Sequence, residues 1–267
     1  MTLLNHALRA GRAHPGRARA TDLTAFVAGG GGALGSAVLE ALLAARRFAH
    51  VKVLATRALG TAMQGLEPVI VDDFGAAPAA DAATIADAAV IVYDRERHAN
   101  GRELAFLRPA PQDLSAQARW LQQRGVRALL VVMPHTPAAL PDALKAGLAN
   151  LDEQAVAAMG FEQLVFVRSA QAPANARAAP WLQRLADGLL AQAQLMVAAP
   201  NQPVRASKVA RFVAELAAQL GAAPPGTRVA PPELVWQAAQ LRDPAPLVEA
   251  WLAARELPEL SAPQRRW

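Results

Sequence analysis

Four consecutive glycines, Gly29 to Gly32, separate the apolar run Ala25-Phe26-Val27-Ala28 from a second apolar-periodic run that begins at Ala33-Leu34-Gly35. Glycine has no Cβ, so it can adopt positive φ and lets an anion come close to the backbone. The free N–H groups and the dipole of a following helix favour negative charge at the same place. A pyrophosphate suits such a turn, and a dinucleotide would then sit on the helix end. Two spacings are present in the same residues. Gly30, Gly32 and Gly35 fit G-x-G-x-x-G, whereas Gly29, Gly32 and Gly35 fit the wider G-x-x-G-x-x-G. A glycine-rich loop can also be only a tight turn; the strand before it and the helix after it favour the binding function.

Other residues with usable chemistry fall at the carboxyl ends of apolar runs. Val51-Lys52-Val53-Leu54-Ala55 ends in Thr56-Arg57, where a basic residue would accommodate the extra phosphate of NADP and an acidic one would select NAD. Arg57 is either that phosphate ligand or a solvated arginine. Asp73, after Pro68-Val69-Ile70-Val71-Asp72, can accept from an adenine amino group or serve as an acidic turn residue. His135 and Thr136 follow the apolar Ala128–Met133 and Pro134, at the edge where open α/β sheets place their ligands. His135 could act as an acid–base group or donate to substrate, and Thr136 could orient a carbonyl. The alternative for His135 is a polar loop residue. Tyr93, the single tyrosine, ends the run Ala88–Val92.

These positions require strands alternating with helices. The patterning predicts a helix from Leu34 to Arg46 and strands over Val51–Ala55, Pro68–Val71, Ala88–Tyr93, Ala128–Met133 and Leu164–Val167. Helices are expected over Asp113–Arg124 and Pro141–Met159, from Trp181, and over Val209–Leu216 with Ser207 as N-cap. The charged stretch Asp94 to Arg108 is expected to be exposed. This rhythm specifies an α/β protein with a doubly wound parallel sheet, Rossmann-like in three αβα layers, with right-handed crossovers and a small helical C-terminal segment. The expected organisation is a flexible basic tail over 1–22, a dinucleotide-binding domain over 23–220, and a proline-rich helical segment over 221–267 that folds back on the core or binds a partner.

Composition narrows the classes. Hydrophobic residues make up 53% of the 267 and aromatics 5%, a balance that favours helices packed on a sheet. With no cysteine, disulfides, thiol catalysis and cysteine zinc sites are excluded, and no metal site is expected. The net charge of +5 is partly concentrated in Arg9, Arg12, Arg17 and Arg19. No nucleic-acid motif or interleaved aromatics accompany them, so no nucleic-acid partner is expected. No apolar run is long enough to span a bilayer, and a soluble, cytoplasmic protein is expected.

The run from Ala25 to Gly35, then Val53-Leu54-Ala55-Thr56-Arg57, then Val69 to Phe74, resembles the extended and atypical short-chain dehydrogenase/reductases, as does Glu153 to Phe161 leading into Val165–Arg168. The resemblance spans roughly Asp22 to Leu220. It implies that Gly29, Gly32, Ala33 and Leu34 line a pyrophosphate, that Arg57 meets the adenosine phosphate of NADP(H), with NAD(H) as the alternative cofactor, and that Asp73 meets the adenine. It also implies an oxidoreductase whose substrate is covered by the region from Trp181, and a homodimer formed through the helices flanking the fifth strand; the apolar Leu182, Leu185, Leu189 and Leu190 of that region would suit a small apolar or a bulky ligand, or would only pack on the sheet. The family's catalytic Tyr-x-x-x-Lys does not occur; laid on Glu153 and Gly160, its two positions fall near Lys145 and Ala149. A non-standard active site follows, or a non-catalytic dinucleotide sensor that acts through a partner.

Overall fold

The computed structural model describes residues 23–57, 65–71, 85–94, 105–134, 151–169 and 204–255. Seven parallel strands form one sheet in the order β3-β2-β1-β4-β5-β6-β7. They are β1 (Thr24–Ala28), β2 (His50–Ala55), β3 (Leu66–Ile70), β4 (Ala88–Val92), β5 (Ala128–Pro134), β6 (Gln163–Ser169) and β7 (Gly226–Ala230). The helices are α1 (Gly32–Ala45), α2 (Leu114–Gln123), α3 (Leu151–Ala157), α4 (Ala206–Leu220), α5 (Pro232–Gln240) and α6 (Ala245–Leu252). Strand order reverses at β1, with β2 on one side and β4 on the other. This is a doubly wound, Rossmann-like fold in three layers. Among the described residues no helix is long and apolar enough to cross a membrane.

The central strands are apolar on both faces because helices cover both. Alternate residues of β4 separate cleanly: Ala88, Val90 and Val92 join the core beneath α1, α4, α5 and α6. Ala89 and Ile91 join the core beneath α2 and α3. On the first face α4 buries Val209, Phe212, Val213, Leu216 and Leu220, an i, i+3, i+4, i+7 stripe. Each such side chain removed from water stabilises by about 1.5–3 kcal/mol. On the second face Trp120 of α2 packs against Phe26 of β1, ring centroids 5.7 Å apart, with the Arg124 guanidinium 3.9 Å from the Trp120 ring centre.

Three expectations change. Residues 221–267 were expected to contribute only helices, yet Gly226–Ala230 is the last strand, paired in register with Gln163–Val167 of β6. Alpha-helix α4 begins at Ala206 after the N-cap Arg205, with no side-chain cap, so Ser207 lies inside the helix rather than at its cap. Finally, α4 lies on the same face as α1 although β6→β7 steps across the sheet in the direction opposite to β1→β2. The β6–α4–β7 step therefore has the opposite hand to β1–α1–β2, a departure from uniformly right-handed crossovers.

Candidate functional site

The turn between β1 and α1 shows why its glycines are glycines. Gly29 has φ +89°, and a Cβ there would lie 2.2 Å from the Val92 carbonyl oxygen at the end of β4. Gly32 has φ +80°, and its Cβ would lie 2.6 Å from Oδ2 of Asp94. A Cβ on Gly35 would come within 1.9 Å of the Gly29 carbonyl oxygen, so α1 packs directly on the turn that precedes it. At Gly30 the crowding is with side chains rather than backbone, Leu39 at 2.7 Å and Val53 at 2.8 Å, and φ is not positive. Of the two spacings, backbone geometry and close backbone approach thus single out Gly29, Gly32 and Gly35.

Helix α1 starts after Gly31, which has no side chain with which to cap it. The amides of its first turn are therefore open to another partner. That partner comes from the neighbouring strand. Asp94, two residues past β4, accepts a hydrogen bond from the Leu34 N–H at 2.8 Å. Its carboxylate lies against Gly32, where any larger residue would meet it. Asp94 is half-buried, where exposure was expected, and residues 95–104 of that stretch lie outside the described residues.

The chain returns to the same edge after residue 104. The Thr56 N–H donates to the Ala105 carbonyl at 2.8 Å and the Leu107 N–H to the Leu54 carbonyl at 3.1 Å. Phe106 forms an antiparallel bridge with Ala55, the last residue of β2. Phe106 faces Gly30, and Pro109 would be 3.1 Å from a Cβ on Gly29. Phe106 and Pro109 therefore roof the glycine turn, while Ala105 and Leu107 tie this segment to the end of β2. Arg57 is exposed just past β2, beside this roof.

Not every expected site residue can be placed. Gly29, Gly30, Gly32, Ala33, Leu34, Gly35 and Arg57 gather at the carboxyl edge of β1 and β2. Asp73, His135, Thr136 and Lys145 lie outside the described residues. Asp94 went unassigned because its neighbours in sequence are charged. A signal was nonetheless available: β1 and β4 are adjacent, so the residue that follows β4 must stand beside the turn that follows β1.

Farther along this edge, on the α2–α3 face, lies a second polar group. Glu153 of α3 is fully buried and pairs with Arg168 of β6 at 2.7 Å. Arg168 also reaches Met133 Sδ on β5 at 3.8 Å. Among the described residues, Gln117 of α2 is buried with neither amide atom hydrogen-bonded, and the Tyr93 hydroxyl is likewise buried without a partner. Burial, then the nearby carboxylates of Asp113 and Asp152, raise the Tyr93 phenol well above its ordinary value. This phenol stays protonated and is a poor acid–base group near neutral pH.

No protein-family model and no curated protein matches the chain. Solved structures do resemble it. One is the Bordetella bronchiseptica enzyme WbmG in complex with NAD and UDP, 16% identical over 92% of this chain and 83% of that one, with a TM-score of 0.47. Another is UDP-N-acetylglucosamine 4-epimerase from Bacillus cereus, 15% identical over 90% of this chain and 87% of that one, TM-score 0.46. A third is a short-chain dehydrogenase from Leptospira borgpetersenii with bound NAD+, 8% identical over 80% of this chain and 92% of that one, TM-score 0.42. The chain carries a Rossmann-like fold. That assignment stands on its own strand order, with the glycine turn at the point where the order reverses.

Proposed function

We propose that this protein binds a nicotinamide dinucleotide, NADP(H) ahead of NAD(H), and is a cytoplasmic, oxidoreductase-like protein with a non-standard active site. The observation that carries this reading is the β1–α1 turn, in which Gly29, Gly32 and Gly35 each hold a place that a Cβ would fill. The pyrophosphate would lie over the amides of Ala33 and Leu34, with Gly30 lining the turn and Arg57 meeting the ribose phosphate. Asp73 would accept from the adenine, and His135 with Thr136 would polarise a substrate carbonyl. When bound, the dinucleotide supplies the hydride chemistry. The fit has one discord, since the Asp94 carboxylate lies where a phosphate would be favoured.

Titration calorimetry with NADPH, NADP, NADH and NAD tests the reading. Binding of the phosphorylated forms is expected, and Arg57→Ala should weaken NADPH on the order of tenfold or more while changing NADH little. Equal losses would remove Arg57 from the phosphate site, and no binding of any of the four would overturn the reading.

A second reading, a non-catalytic dinucleotide sensor, is favoured by Tyr93. The chain has one tyrosine, and it is buried with its phenol held protonated. Single-turnover mixing of NADPH-loaded protein with a panel of aldehydes and ketones separates the two. Oxidation supports the enzyme, whereas tight binding without oxidation supports the sensor.

A further inference from the structure

Asp94 sits where the fold would favour a ligand's phosphate, at the first turn of α1. The first turn of α1 offers amide donors, and its own N-cap, Gly31, cannot satisfy them. The Asp94 carboxylate takes the Leu34 donor at 2.8 Å from a position 60 residues away in sequence. It reaches that donor because Gly32 has no Cβ; one built there would stand 2.6 Å from Oδ2. The glycine that would let a pyrophosphate approach thus admits a carboxylate of the same chain.

We propose that Asp94 is a built-in occupant of this anion seat and that a pyrophosphate-bearing ligand binds by displacing it. This inference rests on the dinucleotide reading of the turn for the identity of the ligand, though not for the existence of the seat. Two anions cannot share one set of amides at this range without strong repulsion. A dinucleotide must therefore break the Leu34 contact and turn the carboxylate away. The segment carrying Phe106 and Pro109 lies over the same glycines, so the roof and the carboxylate close one cleft from two sides. Binding then reports on the position of Asp94, and whatever fixes that residue sets the affinity. In this arrangement the free protein is held in a closed state that its own chain stabilises, and ligand affinity is reduced by the fraction of time the seat is taken.

The test uses the full chain and two variants, Asp94→Asn, which keeps the shape and an acceptor oxygen, and Asp94→Ala, which clears the seat. Thermal melts with added inorganic pyrophosphate read the seat by itself. Pyrophosphate is expected to raise the melting temperature of both variants by several degrees more than that of the unaltered protein; equal shifts in all three proteins overturn the proposal. Calorimetric titration with NADPH reads the ligand. Both variants should bind on the order of tenfold more tightly than the unaltered protein. If pyrophosphate stabilises only the variants while no dinucleotide binds any of the three, the role of Asp94 stands and the dinucleotide reading falls. If NADPH binds all three equally, or binds the variants more weakly, the dinucleotide reading stands and the role of Asp94 falls.

Discussion

The two faces of the sheet are finished differently. Beneath α1, α4, α5 and α6 the core is apolar, mostly aliphatic with Phe48 and Phe212, and Gln163, buried there among the described residues, donates to the Ala223 carbonyl at 3.1 Å. Beneath α2 and α3 the core includes a buried ion pair, Glu153 with Arg168, and, among the described residues, a glutamine with neither amide atom paired and a phenol without a partner. Buried polar groups are ordinarily hydrogen-bonded, and among the described residues a phenol and a whole side-chain amide without partners lie on this second face. The first face should be sensitive to added volume, and the second to the removal or addition of charge.

The largest effect is expected where volume is added at the closest contact of the first face. In Gly35→Ala the new methyl would stand 1.9 Å from the Gly29 carbonyl oxygen, so α1 must move away from β1 and carry Leu34, Val38 and Leu42 out of their packing. Urea unfolding should show a loss above about 4 kcal/mol or no folded protein. A loss under about 1 kcal/mol would mean that α1 is not seated tightly on the turn, and the contrast between the faces would weaken.

On the second face, Glu153→Gln should cost about 3–5 kcal/mol, because Arg168, only 13% exposed, keeps its charge and loses the opposite charge that balances it. The double change Glu153→Leu with Arg168→Met replaces the pair with apolar groups of similar size and should lie near neutral or be stabilising. The same denaturation midpoints decide it. If the double variant is as unstable as the single one, the ion pair is needed for more than neutralising its own members.

Most of this architecture is legible in the sequence, for identifiable reasons. Strands β1, β4 and β5 are buried on both faces and read as unbroken apolar runs; α4 shows its stripe at helical spacing. The glycine turn is legible because its backbone demands are met by residue type alone. Strand β7 is not, since Gly226-Thr227-Arg228-Val229-Ala230 is a short edge strand following Pro224-Pro225, and pairing with β6 supplies the order that local propensity lacks. Asp94 is hidden for a related reason. Its partner is Leu34, and only the β1–β4 adjacency brings the two together. The Glu153–Arg168 pair joins a helix to a strand that sequence spacing alone does not place side by side.

The smallest effect sharpens the comparison most, because it isolates a single atom. Tyr93→Phe removes a buried hydroxyl that has no partner among the described residues, so at neutral pH stability should be unchanged or rise by about 1 kcal/mol. Its pH dependence has a definite sign. The folded-state phenol is held protonated by burial and by Asp113 and Asp152, above the value of about 10 of an unfolded tyrosine. Below that ordinary value both states carry the proton and Tyr93 contributes its full stability. As pH rises past it, the unfolded chain gives up a proton that the folded chain retains, and stability falls by up to about 1.4 kcal/mol per pH unit. Other groups titrate in the same range, but they are common to both proteins, and the difference between the two stability curves belongs to the single tyrosine. The curves should therefore diverge above about pH 10, with the phenylalanine protein the more stable. Parallel curves would place the phenol in contact with water and remove it from the unsatisfied group that distinguishes the second face.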